Sequence, residues 1–342
     1  CLLGTAAAAA AGIAAPAVLR GQTLTFKLHH FLGPTSPSHT KMLEPWARRV
    51  EERANGAVKI EIYPSMTLGG RPTELISQVR DGVVDLIWTV NGYTPGLFPR
   101  TEVMELPFIY INDPAATNLA MRDLFDDYLR EEYAGVEVMF LHVHAGQALH
   151  CRERLVRRPE EWEGLRIRIP TRTGAWVIEA LKGSPVAMPV TELPQALAKG
   201  VVDAALIPFE VIPPLRLQEQ TRFHTEGYRH TRFGNTTFQL SMNAARWRSL
   251  PRDIQAAFRA ASDRDWLSEL GRIWRVNEEA GLRLVLEAGN QHVMLTEEET
   301  EAYRRWLEPV IDRWVEDVTK KGIDGATLVA KARERIAAHS QA

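Results

Sequence analysis

The amino-acid sequence predicts an α/β protein of two lobes, with open, mostly parallel sheets and a long bracing helix. Three observations carry this expectation. Strand-like and helix-like segments alternate along much of the chain, the order that builds parallel sheets covered by helices. A helix end followed by glycine and Val-Val-Asp occurs twice, as Arg80-Asp81-Gly82-Val83-Val84-Asp85 and as Ala198-Lys199-Gly200-Val201-Val202-Asp203. Beyond Pro251 the pattern turns helical over 253–287, a span that can lie across two lobes.

The size fits two lobes. The chain has 342 residues, 45% of them hydrophobic, whereas one core rarely grows past roughly 250 to 300 residues. A formal net charge of −2 lacks the basic field that nucleic acid or anionic lipid requires, so neither partner is expected. Two cysteines, Cys1 and Cys151, build neither a disulfide framework nor a Cys-based metal site. Leu2-Leu3 and the alanine-rich run to Ala15 break at Pro16 and turn polar by Arg20-Gly21-Gln22, which reads as a secretory signal over 1–22. No later run has the roughly 20 apolar residues of a membrane span.

Each element has a local cause. An alternating strand over 24–28 leads through a Gly33 to Pro37 turn into a helix over 38–54, closed by Asn55-Gly56. A strand over 58–63, a Gly69-Gly70 loop and a helix over 73–80 follow. In the repeated segment the glycine takes the left-handed C-cap and Val-Val-Asp opens a strand. Within 253–287, Trp266, Leu270, Ile273, Trp274 and Val276 are the expected buried positions. A strand over 291–295 precedes Thr296-Glu297-Glu298-Glu299, a capping box that opens a helix to about Lys321; a last helix covers 325–338. No long polar linker divides the chain, so it crosses between lobes more than once. The expected division is lobe I at 23–144 and 231–270, lobe II with the bracing helix at 145–230 and 271–308, and C-terminal helices at 309–342.

Catalytic motifs are absent: the sequence contains no phosphate loop, no His-Glu-x-x-His and no Gly-x-Ser-x-Gly. The one constellation that suggests an enzyme is His142-Val143-His144, which on a strand sets two imidazoles on one face, with His150 or His29-His30 as further ligands. The alternative function is therefore an exported metal-dependent hydrolase. The competing reading of these histidines is a set of hydrogen-bonded strand-end residues.

Glu163-Gly164-Leu165-Arg166-Ile167-Arg168-Ile169-Pro170 points elsewhere. Alternation places Arg166 and Arg168 opposite Leu165, Ile167 and Ile169. Strands of such sheets are apolar on both faces, so an arginine near the carboxyl end needs an anion or a crevice, and ligands bind at that end. Arg168, beside the terminating Pro170, is the better placed of the two; its planar guanidinium suits a carboxylate. A surface salt bridge is the plain alternative. Other pocket candidates follow the two repeated segments: Trp88, Asn91 and Tyr93 after the first, Phe209 and Glu210 after the second. Phe31 and Asn235 complete the set.

Taken together, Ile60-Glu61-Ile62-Tyr63-Pro64, Leu68-Gly69-Gly70, the two Gly-Val-Val-Asp segments, Glu105-Leu106-Pro107-Phe108 and Gly164 to Pro170 resemble the substrate-binding subunits of tripartite ATP-independent periplasmic (TRAP) transporters, the DctP family. The features stand in that family's order and cover almost the whole chain after the signal segment. The resemblance implies the two-lobe periplasmic binding protein fold, closure on a small organic acid, no enzymatic activity, no cofactor or metal, and a membrane permease as partner. It assigns the carboxylate clamp to the second arginine of the Arg-x-Arg strand, Arg168. Two departures bear on the ligand. Leu206-Ile207-Pro208-Phe209 replaces the polar residues of some members, and Gly146-Gln147-Ala148-Leu149-His150 lacks the second arginine of dicarboxylate and sialic-acid binders. A short monocarboxylate, a hydroxy or keto acid with an apolar branch, is the expected ligand.

Overall fold

The structure, a computed structural model, describes residues 23–340; the signal segment expected over 1–22 lies outside the described residues. The strands are β1 (Leu24–His30), β2 (Val58–Tyr63), β3 (Leu86–Val90), β4 (Val136–Val143), β5 (Ala148–Cys151), β6 (Arg166–Ile169), β7 (Ser184–Ala187), β8 (Ala204–Ile207), β9 (Phe223–Glu226), β10 (Thr237–Asn243) and β11 (Gln291–Met294). They form a five-stranded sheet I, in the order β2-β1-β3-β10-β4, and a six-stranded sheet II, in the order β11-β9-β5-β8-β6-β7.

Both sheets are parallel but for one strand each, β10 in sheet I and β5 in sheet II. The exception follows from the connections. The chain leaves sheet I at the end of β4 and enters sheet II directly as β5; it returns at the end of β9 and enters sheet I as β10. A strand that starts at the cleft must run away from it, against neighbours that end there. The two crossings lie side by side, with Gln147 N–H donating to the Gly234 carbonyl at 2.9 Å and Phe233 N–H to the Gln147 carbonyl at 3.0 Å.

The α-helices are α1 (Glu44–Arg53), α2 (Leu75–Arg80), α3 (Pro114–Leu124), α4 (Arg172–Ala180), α5 (Leu193–Ala198), α6 (Ile212–Leu215), α7 (Ala244–Arg248), α8 (Arg252–Ala261), α9 (Arg264–Glu287), α10 (Glu297–Thr319) and α11 (Gly325–Ser340). The repeated segment is one device used twice. Gly82 and Gly200 both adopt positive φ, 71° and 65°, which costs glycine no steric penalty. Val-Val-Asp, however, precedes the strand instead of opening it: β3 and β8 begin one residue after the aspartate. The reason is the carboxylate, which caps a neighbouring strand. Asp85 accepts the Lys27 N–H of β1 at 2.8 Å, and Asp203 accepts the Arg166 N–H of β6 at 2.9 Å.

The helical span expected over 253–287 is two helices. Asp263 accepts the Trp266 N–H at 2.9 Å, an N-cap that starts α9 afresh. Trp266, Leu270, Ile273 and Trp274 are buried, but Val276 is exposed on the outer face. The 24-residue α9 is the brace. Its Gly271 lies against α3, where a Cβ would sit 2.4 Å from the Ala115 Cα; its Gly281 lies against the segment after β8, where a Cβ would sit 2.1 Å from the Phe209 carbonyl oxygen. One glycine thus lets the helix touch backbone on each side of the cleft. Of the C-terminal helices, α10 packs on α4 and α11 on α3. The Thr296 capping box that opens α10 is formed as the sequence predicts.

Candidate ligand-binding site

The carboxyl ends of the sheets face each other across a cavity. Arg168, third residue of the short β6, is 2% exposed at its wall. Its Nε donates to the Met188 carbonyl at 3.0 Å, which orients the guanidinium. Its Nη2 is buried and has no hydrogen-bond partner among the described residues. Burial lowers the pKa of the group, and the Tyr93 phenol beside it opposes that shift; a guanidinium so placed stays charged. A buried cation without a partner is costly, and an anion at this nitrogen would offset that cost. Arg166, two residues earlier, is exposed and holds Asp203 at 2.7 Å. The surface salt bridge is thus made by Arg166, not by Arg168.

Much of the remaining wall is aromatic. Phe31, Trp88 and Phe238 lie nearly parallel: Phe31 and Trp88 have centroids 5.0 Å apart at 7°, Trp88 and Phe238 5.3 Å apart at 3°. Tyr93 and the α9 residue Trp274 add to this wall, and Val190, Leu206, Ile207 and Val211 supply aliphatic surface. The polar lining besides Arg168 is His144, Gln147, Glu210 and Thr236. Glu210 is 6% exposed, and burial together with the neighbouring Glu278 pushes its pKa well above the ordinary carboxyl range. Glu278 itself accepts the Phe209 and Glu210 N–H groups, both at 3.0 Å, and pairs with Arg232 at 2.7 Å.

Five of the eight residues singled out from sequence, Phe31, Trp88, Tyr93, Arg168 and Glu210, meet at this cavity. The other three sit behind it. Asn91 donates to Tyr133 and Thr237 and accepts from Gln239, tying β3 to β10. Phe209 is fully buried edge-on to His150, with centroids 4.7 Å apart. Asn235, on the return crossing, accepts the Thr236 N–H at 2.8 Å. The sequence reading did not name Phe238 or Trp274 as lining residues, because their signals, a strand and an amphipathic helix, are those of core residues.

The lobes meet at the mouth of the cavity. Val190 N–H, from the segment after β7, donates to Tyr93 Oη at 2.9 Å. Gly92, after β3, lies so close to Thr171, after β6, that a Cβ would be 2.4 Å from Cγ2 and 3.1 Å from the Thr171 Cα.

The hydrolase alternative fails on the geometry of its histidines. His142 is enclosed by two indoles: Trp88 Nε1 is 2.9 Å from its Nε2 and Trp274 Nε1 is 3.1 Å from its Nδ1. In the neutral ring Nδ1–H donates to the Val143 carbonyl at 3.2 Å and Nε2 accepts the Trp88 indole N–H, so neither nitrogen is free to hold a metal. His150 faces His224 at 2.7 Å and the Ile207 carbonyl at 3.0 Å. No group of three His, Cys, Asp or Glu among the described residues could hold a metal ion.

Comparison with known proteins identifies the family and the fold. Residues 28–317 match the model of the DctP family, described as bacterial extracellular solute-binding protein, family 7. The chain belongs to that family. A TRAP solute-binding protein from Rhodoferax ferrireducens T118, in complex with copurified benzoate, is 35% identical, with a TM-score of 0.90 over 93% of this chain and 99% of that one. A marine metagenome TRAP solute-binding protein specific for aromatic acid ligands, in complex with 3-hydroxybenzoate, is 33% identical, with a TM-score of 0.90 over 93% and 99%. The C4-dicarboxylate-binding periplasmic protein DctP of Rhodobacter capsulatus is 25% identical over 87% of this chain and 88% of its own. The DctP proteins are transporter solute-binding proteins, not enzymes, and periplasmic location is typical of them. No helix among the described residues is long and apolar enough to cross a membrane.

For this family member the buried histidines make a stability prediction. Burial pushes His30, His142 and His224 down to about 3 and holds His144 and His150 well below the ordinary value of 6.5. Below about pH 6.5 the unfolded chain therefore binds protons at these rings that the folded protein refuses, and stability falls with pH. Glu105 and Glu132, pushed up by burial to about 7, act in the opposite sense between their ordinary value of 4.5 and 7, where only the folded state is protonated. Below about 4.5 that offset disappears. The urea midpoint is expected to change little from pH 7 to 5.5 and to drop steeply between 4.5 and 3.5. A midpoint that stays level down to pH 3.5 would contradict the assignment of neutral buried rings.

Proposed function

We propose that this protein captures an aromatic monocarboxylic acid in the periplasm by closing its lobes around it, and presents it to the membrane subunits of a TRAP permease. One observation carries the reading: Arg168, with a buried, unpartnered guanidinium nitrogen, lines the same cavity as the near-parallel rings of Phe31, Trp88 and Phe238. Arg168 takes the carboxylate, and Phe31, Trp88 and Tyr93 cover the ring. Glu210, held neutral by burial beside Glu278, tolerates an anionic ligand and donates to a ring substituent. Asn91, Phe209 and Asn235 support this wall from behind. The relatives in complex with benzoate and 3-hydroxybenzoate bring the same ligand class to mind from an independent direction.

A short branched hydroxy or keto acid is the second reading, favoured by the aliphatic surface of Leu206, Ile207 and Val211. A diacid is disfavoured, since Arg168 is the cation of the lining. Thermal shift against benzoate, 3-hydroxybenzoate, 2-oxoisovalerate and succinate separates the three. A ligand at a thousandfold its Kd adds about 4 kcal/mol to apparent stability, a shift of several degrees. Benzoate and 3-hydroxybenzoate are expected to give the largest rises; a larger rise with 2-oxoisovalerate supports the second reading, and one with succinate contradicts both.

A further inference from the structure

We propose that His144 is a second anchor for the ligand's carboxylate, donating from Nε2–H alongside Arg168; this rests on the carboxylate reading above. Arg168 alone leaves the acid group short of donors. A carboxylate offers about four lone-pair positions, and the Arg168 Nε is already committed to the Met188 carbonyl. The side-on fork through Nε and Nη2 is closed, so the guanidinium meets the ligand with its Nη nitrogens only. Of the amide donors at the wall, Gln147 Nε2 spends one of its two N–H groups on Thr236 Oγ1 at 2.8 Å.

His144 is 3% exposed and lines the same cavity. The Gly146 N–H donates to its Nδ1 at 3.0 Å. That nitrogen is therefore an acceptor, and in a neutral ring the proton must sit on Nε2. Nε2 has no hydrogen-bond partner among the described residues. The loop that sets this tautomer is itself pinned: a Cβ at Gly146 would come within 2.4 Å of the Arg232 side chain and 2.9 Å of the Tyr110 ring. The ring meets Phe238 edge-on, with centroids 5.7 Å apart at 66°, which orients it against the aromatic wall. Burial, with His142, Arg232 and Arg168 nearby, keeps it uncharged. The site thus offers one positive charge and one neutral donor, a match for a single carboxylate. Among the histidines flagged as a metal-ligand motif, His142 is enclosed in the core and His144 faces the cavity.

The test is isothermal calorimetry of His144→Leu and His144→Gln with benzoate and 2-oxoisovalerate. Leucine removes the donor, whereas the glutamine amide places an N–H close to where Nε2 stood. His144→Leu is expected to weaken binding about 30-fold, within the range for a hydrogen bond to a charged group, and His144→Gln to stay within about 5-fold of wild type. Equal losses in both variants, or none in His144→Leu, would overturn the proposal. Nitrogen-15 spectra of the wild-type imidazole give an independent readout: an Nε2–H tautomer whose proton moves downfield on adding benzoate supports it, and an Nδ1–H tautomer refutes it. If wild type binds only 2-oxoisovalerate, the aromatic reading falls, while the variant losses against the keto acid still decide His144.

Discussion

Arg168→Ala is expected to abolish tight binding of the carboxylate ligand while leaving the unliganded protein folded. Breaking a buried charge pair by removing one partner costs about 3 to 5 kcal/mol, which corresponds to a loss of roughly 150- to 5,000-fold in affinity. The fold does not depend on this side chain in the same way. Its Nη2 has no partner among the described residues, so truncation removes an incompletely compensated buried charge and gives up the bond to the Met188 carbonyl and the contact with the Tyr93 phenol. Thermal melts without ligand should therefore match or exceed wild type, and calorimetry with benzoate should show no measurable heat. Arg168→Lys should recover little, because one ammonium cannot reach both Met188 and the ligand in the fixed geometry of a planar fork. Near wild-type affinity in Arg168→Ala would place the acid group elsewhere.

Gly92→Val is the second large effect, and it acts on closure. The valine Cβ would meet Thr171 at 2.4 Å from Cγ2 and 3.1 Å from Cα, and backbone cannot swing aside as a side-chain end does. Overpacking of this kind costs about 1 to 3 kcal/mol. The clash exists only when the segment after β3 meets the segment after β6, so the cost falls on the closed state and is read as weaker binding. Affinity should drop roughly 5- to 150-fold, with an unchanged melting point in the absence of ligand. Small-angle scattering should show the variant remaining extended at benzoate concentrations that compact the wild type. Wild-type affinity together with normal compaction would mean that Gly92 and Thr171 need not approach for binding.

The architecture was legible where the signal is local. The β1 alternation, the Gly82 and Gly200 caps and the Thr296 capping box each rest on a few neighbouring residues, and each formed as read. Arg168 stood out because a charge in an apolar strand demands an explanation. What the sequence could not convey is which apolar residue faces a void and which faces packed atoms. Phe209 and Phe238 both flank sheet ends, yet Phe238 lines the cavity and Phe209 fills the core behind it. The same ambiguity put Asn91 and Asn235 among the candidates: Asn91 bonds β10, whereas Asn235 accepts the neighbouring Thr236 N–H through Oδ1 and keeps a buried Nδ2 without a partner among the described residues. The break at Asp263 had its N-cap signal, but apolar periodicity continued across it and masked the boundary.

The unequal makeup of the cavity walls divides recognition by address. Phe31, Trp88 and Phe238 come from sheet I, whereas Arg168 and its orienting carbonyl at Met188 come from sheet II and the segment following it. Reshaping Phe31 and Trp88 redirects which tail is admitted while Arg168 keeps its grip on the acid head; Phe238 is the exception, since it also orients the His144 ring. A sensor tuned to a new acid can therefore be built by varying one half of the molecule while the other keeps its sequence.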